Sequence, residues 1–365
     1  MKDRADGVLV AEWPAEDTRS IVYVEDFSAG IIRLRRGRGF RYVHSTREPV
    51  TDGATLARIR SLAIPPAWEE VWISEDPASH IQAVGRDDRG RKQYRYHPIW
   101  AQMRQETKFG RMLEFGGRLP VVRRRVRSDL DMPSLGRPKV LACIVRLLDE
   151  TGARIGTRQY SLENDTFGIS SMLNHHVTVE GERVVFRYNG KGGKPQKVVQ
   201  EDRMLARITR RCQDLPGQRL FEYVDQEGQV QPVSSGDVNQ YISEISGEDF
   251  TSKDFRTWKG SVRGLTILSE MGAPSSQTEA KRNIVEAMKR VAADLGNLPA
   301  TAKKYYVHPV ILDAYVEGKL EEARPNGDDG EEVAPGDLSP QEEHFMTLLR
   351  RAEDSPPTQA GAKVL

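Results

Sequence analysis

The hydrophobic period changes from strand-like to helical at about Pro98, and that change limits what this chain can fold into. Before it, apolar and polar residues alternate in short runs broken by glycine and proline. These runs are SIVYVEDFSAGIIRLRRGRGFRYVHS over 20–45, then VWIS, then HIQAVGRDDRGRKQYRYH. A two-residue period marks half-buried strands, and the glycines and the charged run at 86–90 supply turns. One short helix is expected after TDG, capped by Thr51 or Asp52 and stopped by the double proline at 65–66. After Pro98 the period becomes helical. WAQMRQETKFGRMLEFGGRLP is expected to be helical as far as Gly116–Gly117, and Val140, Leu141, Ile144, Val145 and Leu148 fall on one face of the next helix.

Strand character returns once, in VTVEGERVVFRYNGKGGKPQKVVQ. Glu180–Gly181 makes one turn, NGKGGK another, and Val184, Phe186 and Tyr188 share a strand face. Helical stretches follow in RMLARITRRCQDL, DVNQYISEIS, the run after SKDFRTW, and TEAKRNIVEAMKRVAADLG. A chain of 365 residues suits about two domains. The expected class is α+β. A small antiparallel-sheet domain occupies 1–105, a basic interdomain helix or linker 106–135, and a larger, mainly α-helical domain with a β-hairpin 136–322. The Pro/Gly/acid-rich tail over 323–365 is expected to be disordered, apart from a short amphipathic helix at about 340–352.

The net charge of +1 conceals a polarity. Arg86 to Arg127 holds thirteen Lys/Arg against four Asp/Glu, a net of +9; Glu321 to Asp354 holds eleven Asp/Glu against three Lys/Arg, a net of −8. The basic block suits a polyanion, or a solvated surface balanced by acids elsewhere. No apolar run is long enough for a membrane helix, and the N-terminus lacks the apolar core of a signal peptide. The two cysteines, Cys143 and Cys212, do not make a disulfide framework or a zinc cluster, and fit a reducing cytoplasm. The seven histidines show no metal-ligand spacing. GKGGK lacks the spacing of a nucleotide phosphate-binding loop, which argues against direct use of ATP.

Three cations occupy special settings. Arg154 follows a helix end at Gly152; Lys191 sits at the tip of the NGKGGK turn; Arg256 lies near the start of a helix that Ser252 can cap, with Lys253 beside it. Positive charge in a first turn opposes the helix dipole, and a chain accepts that more readily where an anion binds. Each has a plain alternative: an Arg154–Glu150 ion pair, an ordinary turn lysine, an Arg256 pair with Asp254 or Glu270. Further on, LGNLPATAKKYYVHP places two tyrosines behind two lysines with little apolar padding.

Taken together, RIGTRQYSLENDTFGISSML, the NGKGGK turn, DVNQYI, TSKDFRTW and GNLPATAKKYY resemble, in family order, the catalytic domain of type IB DNA topoisomerases. The likeness is closest to the small poxvirus and bacterial branch. IPPAWEEVWIS and GRDDRGRKQYRYHP resemble that branch's N-terminal DNA-clamping domain, so the similarity spans about residues 20 to 320. The resemblance implies a fold related to tyrosine recombinases, with Tyr306 as nucleophile, Arg154 and Arg256 as the catalytic arginines, Lys191 as hairpin general acid and Lys253 as an auxiliary basic residue. The poxvirus pattern has a histidine where this chain has Asn297, nine residues before Tyr306. An amide can replace it as a neutral hydrogen-bond donor, not as a proton carrier.

The implied function is ATP-independent relaxation of positive and negative supercoils through a 3′-phosphotyrosine intermediate, strand rotation and religation, with no divalent metal. One phosphodiester is exchanged for another, so religation needs no ATP. The expected partner is double-stranded DNA, clamped by a monomer at the nucleoid in the cytoplasm. Arg86, Arg89, Arg91 and Lys92 can neutralise phosphates, and one alternating set among Gln93, Tyr94 and Tyr96 can face bases, or a tyrosine can face the core. Arg123, Arg124 and Arg125 are further phosphate candidates, or a flexible basic linker. A tyrosine recombinase and an inactive DNA-binding relative are the alternatives; Lys253-Asp254-Phe255-Arg256 in place of the recombinase His-x-x-Arg box favours the topoisomerase. Truncation after about residue 322 is expected to raise DNA affinity at low salt.

Overall fold

The computed structural model describes residues 21–24, 27, 29–324 and 334–354. It divides into two compact units, one ending at Lys108 and one starting at Phe109. The first contains strands β1 (Ile31–Arg36) and β2 (Gly39–His44), helix α1 (Gly53–Ser61), strands β3 (Glu69–Ile73), β4 (Ile81–Arg86) and β5 (Lys92–Tyr96), and most of α2 (Pro98–Gly110). The strands form one antiparallel sheet in the order β2-β1-β3-β4-β5. Alternation along the strands gives each face its own apolar cluster. Ile31, Val71, Ile73 and Ala83 pack with Ile59 of α1, while Trp72, Ile81 and Val84 pack with Phe27 and Ile32. Asp52 is the cap of α1, accepting from the Thr55 N–H at 2.7 Å.

The second unit is mainly helical. It runs α3 (Met112–Leu130), α4 (Arg137–Thr151), α5 (Arg158–Asn164), β6 (Val177–Glu180), β7 (Arg183–Gly190), β8 (Lys194–Glu201), α6 (Arg203–Gln213), β9 (Glu222–Val224), β10 (Val230–Pro232), α7 (Ser235–Ser246), α8 (Ser252–Met271), α9 (Gln277–Asp294), α10 (Pro299–Tyr305), α11 (Pro309–Val316) and α12 (Pro340–Asp354). β6, β7 and β8 form an antiparallel sheet, and β7 and β8 extend into a hairpin whose ladder closes at Gly190–Lys194. Among the described residues no helix is long and apolar enough to cross a membrane.

Three expectations need correction. The helix ahead of residue 120 does not stop at Gly116–Gly117; α3 runs through both. A Cβ on Gly116 would collide with the Trp258 ring and the Met346 sulfur, so this glycine allows close helix packing and does not break the helix. Of the two readings of 106–135, helix holds and linker does not: Phe115, Leu119, Val122 and Val126 of α3 are buried in the main core. α4 is buried on more than one face, since Ala142, Cys143 and Leu147 join the expected stripe. It is the central helix, packed by α3, α7 and α8.

The third correction concerns the tail. Residues 325–333 and 355–365 lie outside the described residues, but α12 belongs to the fold. Phe345, Met346, Leu348 and Leu349 are buried against α8, α3 and α11. A cut after residue 322 would therefore remove core side chains along with acidic charge.

Candidate active site

Three helix ends, the start of a fourth helix and a hairpin tip bring the expected catalytic residues together. α4 closes with the Gly152 N–H on the Leu148 carbonyl at 2.9 Å, and Gly152 takes the left-handed conformation, φ 60°. The chain turns there into Arg154, whose carbonyl accepts from the Ile169 N–H at 2.9 Å. α8 starts where the Asp254 carboxylate accepts from the Thr251 N–H at 2.8 Å and the Thr251 hydroxyl at 3.0 Å, so Thr251 and not Ser252 is the cap. That contact uses Asp254. Glu150 pairs with Arg146 at 2.9 Å and Glu270 with Arg290 at 2.9 Å, so the alternative carboxylate partners of Arg154 and Arg256 are engaged elsewhere.

Arg256, only 4% exposed, donates to the carbonyls of Gly152 and Leu295. These residues are the C-caps of α4 and α9. The negative ends of two helices thus hold a cation that its own helix start disfavours. Burial, then the neighbouring Arg154, pushes the Arg256 pKa down to about 10. Its guanidinium carbon lies 4.8 Å from the centroid of the Tyr306 ring.

Tyr306 follows α10 as its cap residue. Tyr305 faces outward at 44% exposure, with the Lys304 ammonium 5.3 Å from its ring, while Tyr306 turns inward and packs partly against the core. Two α8 residues set this turn. Gly260 lets it approach, because a Cβ there would lie 2.6 Å from the Tyr306 carbonyl oxygen. The Ser261 hydroxyl donates to that oxygen at 3.2 Å and accepts from the His308 N–H at 3.0 Å. Burial pushes the Tyr306 phenol up, but Arg256, Arg154, an Arg256 hydrogen bond and Lys191 outweigh it, leaving the pKa below the ordinary tyrosine value.

Asn297 lies one residue beyond Gly296, after α9. Its Oδ1 accepts from the Arg154 guanidinium, and its Nδ2 is buried with no acceptor among the described residues. Lys191 is exposed at the hairpin tip, and Lys253 is exposed in the first turn of α8. Arg154, Lys191, Arg256, Asn297 and Tyr306 therefore lie together. Gly260, Ser261 and Gln196, the last lining the small cavity beside Arg154 and Lys191, were not foreseen. Among the described residues, no group of three His, Cys, Asp or Glu is placed to hold a metal ion.

These features have counterparts in known proteins. Residues 97–325 match the family model "Eukaryotic DNA topoisomerase I, catalytic core", and residues 39–87 match "Bacterial DNA topoisomerase IB, N-terminal domain". The chain belongs to the type IB DNA topoisomerases. The DNA topoisomerase 1B of Acanthamoeba polyphaga mimivirus is 31% identical over 293 residues, 78% of this chain and 87% of the relative. The DNA topoisomerase I of Monkeypox virus is 21% identical over 250 residues, 67% and 75% of the two chains. α12 lies past the end of the matched catalytic core.

The DNA-contact candidates of this topoisomerase divide. On β5, Lys92, Tyr94 and Tyr96 form one exposed face, with the tyrosine rings 5.9 Å apart and stacked, and Arg89 is exposed in the preceding turn. Neither tyrosine faces the core. Gln93 has the opposite parity: it donates to Asp87 at 2.8 Å, and Arg91 pairs with the same carboxylate at 2.7 Å, so both shape the turn. Arg86 pairs with Glu70 at 2.8 Å.

Arg123 is a correction. Its side chain is 15% exposed and bonds Asp149 at 2.8 and 3.0 Å and Glu342 at 2.8 and 2.9 Å, which makes it a core ion hub and not a phosphate contact. Arg125 is held by Asp129 at 3.0 Å, and Arg124 lies 3.5 Å from Asp337.

Proposed function

We propose that this topoisomerase relaxes positive and negative supercoils without ATP by transesterification, with Tyr306 as nucleophile. The Tyr306 oxygen attacks a DNA phosphorus, the bond to the 5′-oxygen breaks, and a 3′-phosphotyrosine forms. The observation that carries this reading is the placement of the phenol: the Arg256 guanidinium lies 4.8 Å from the Tyr306 ring, and Arg256, Arg154 and Lys191 together draw its pKa down despite burial. A phenoxide is both a competent nucleophile and a competent leaving group, so the reverse attack by the 5′-hydroxyl reseals the strand.

Arg154, Arg256 and Asn297 serve as donors to the non-bridging oxygens, where charge gathers in the transition state. Two carbonyls engage Arg256, which fixes the guanidinium before the substrate arrives. The Arg154 contact orients the Asn297 amide so that its NH₂ is left for a phosphate oxygen. Lys191, at an exposed hairpin tip, is suited to protonate the departing 5′-oxygen, and Lys253 adds positive charge near the phosphate. The face of Lys92, Tyr94 and Tyr96, with Arg89, supplies duplex contacts in the first unit.

The test is relaxation of supercoiled plasmid in EDTA without ATP, with Tyr306→Phe in parallel. Relaxation of both supercoil signs by the wild type alone is the expected result. Relaxation by Tyr306→Phe removes the nucleophile assignment, and salt-sensitive DNA binding without relaxation by either protein marks an inactive binder.

A further inference from the structure

One side chain touches the residues next to both the proposed acid and the proposed amide donor. Gln196 lies on β8 opposite Tyr188 of β7. Its stem lies over Gly190, where a Cβ would come within 2.7 Å of Gln196 Cγ; Gly190 directly precedes Lys191. Its amide lies against Gly296, where a Cβ would come within 2.7 Å of Gln196 Cδ; Gly296 directly precedes Asn297. The amide also donates to the Pro195 carbonyl of its own strand at 3.1 Å. Residues 191–195 are all exposed, and Gln196 is the first residue after the tip to be partly covered. It marks the boundary between the free tip and the anchored arm. Both glycines are needed for this seat, and Gly296 also has a positive φ of 61°.

We propose that Gln196 is a positioning residue for the hairpin, wedged between Gly190 and Gly296 so that Lys191 is aimed at the leaving oxygen while Asn297 faces the same phosphate. The inference rests on the reading of Lys191 as general acid. In that step the P–O5′ bond breaks as the Lys191 ammonium gives its proton to the 5′-oxygen, and religation returns the proton. Removing the wedge leaves the lysine in place chemically but lets the tip wander, and a displacement of about 1 Å can cost about a hundredfold in rate.

The experiment is single-turnover cleavage by the full chain on two DNA substrates, one ordinary and one with sulfur at the 5′-bridging position. A thiolate leaves without an acid because its conjugate thiol ionises near pH 8.5. Gln196→Ala is expected to cleave ordinary DNA about tenfold or more slowly and the sulfur substrate within about threefold of wild type. Lys191→Ala should show the same rescue more strongly. Equal slowing of Gln196→Ala on both substrates would mean a structural role only, and no slowing on either would remove the wedge; each overturns the inference. If Lys191→Ala were equally slow on both substrates, the acid assignment itself would fall, and the Gln196 inference with it. Thermal unfolding of Gln196→Ala, expected at the wild-type midpoint, guards against a fold defect.

Discussion

Tyr306, the proposed nucleophile, and its neighbours shift one another's protonation. Arg256 is buried, close to a second arginine, and has its pKa pushed down to about 10, while the same two arginines draw the Tyr306 phenol below its ordinary value. The cleavage rate should therefore rise with pH as the phenol ionises, with a midpoint below the free-phenol value of about 10. Arg154→Ala removes one downward pull, so its ascending limb should shift to higher pH as well as fall in height. Single-turnover cleavage from about pH 6 to about pH 10 reads both, and an unmoved limb would mean that Arg154 does not act on the phenol. Asn297 gives a second prediction. Asn297→Ala removes one transition-state donor and should slow cleavage on the order of a hundredfold. Asn297→His keeps an N–H donor and should retain most of the rate, whereas Asn297→Asp sets a carboxylate against the phosphate and should be slower than the alanine variant. Equal rates for the alanine and wild-type proteins would remove Asn297 from the site.

α8 does two things for the site, and only one was legible in the sequence. Its start presents Arg256, and the TSKDFRTW motif made that plain. One turn later its Gly260-Ser261 step receives the Tyr306 backbone, and nothing local marks it, because the reason for a small residue there is a chain segment more than forty positions away. Gly116 was misread for the same reason: a glycine in a helical pattern reads as a break until the Trp258 ring is seen against it. The strands, hairpin turns and the α1 cap were readable because their signals are local, as at Asp52 and in the β7–β8 turn, whereas the α8 cap fell one residue earlier than expected, at Thr251. Gly260→Ala should therefore displace the nucleophile. The prediction is a cleavage loss of about tenfold to a hundredfold with destabilisation of only about 1–3 kcal/mol. Measured side by side, a stability loss with unchanged cleavage would separate the α8 contact from nucleophile placement.

At the scale of the whole chain, the basic and acidic blocks of the sequence are partly folded against each other. Arg123 from the first meets Glu342 from the second in the core, with Asp149 on its other side and the Trp258 indole N–H also on Glu342 at 2.8 Å. Such a pair says little about affinity for DNA and much about docking α12 onto α8. Burial raises the Glu342 pKa, but Arg123 outweighs it, so the folded value lies below the unfolded one. The stabilisation is thus complete above the ordinary glutamate pKa and fades as pH falls through the folded value. Arg123→Met should reverse this. It leaves two buried carboxylates without their cation, costs about 3–5 kcal/mol near neutral pH, and recovers part of that on acidification as the carboxyls take up protons. Arg124→Ala, which loses only an exposed contact at 3.5 Å, should change stability by less than about 1 kcal/mol. Denaturant unfolding at about pH 7 and about pH 3.5, below the ordinary glutamate value, separates these cases, since wild type should weaken on acidification while Arg123→Met should weaken less. The same proteins test the charge reading of the basic block. A buried Arg123 cannot release counterions from DNA, so a folded Arg123→Met protein should keep the wild-type salt slope of binding, whereas Arg89→Ala or Lys92→Ala, if those side chains meet phosphates, should each reduce it by about one.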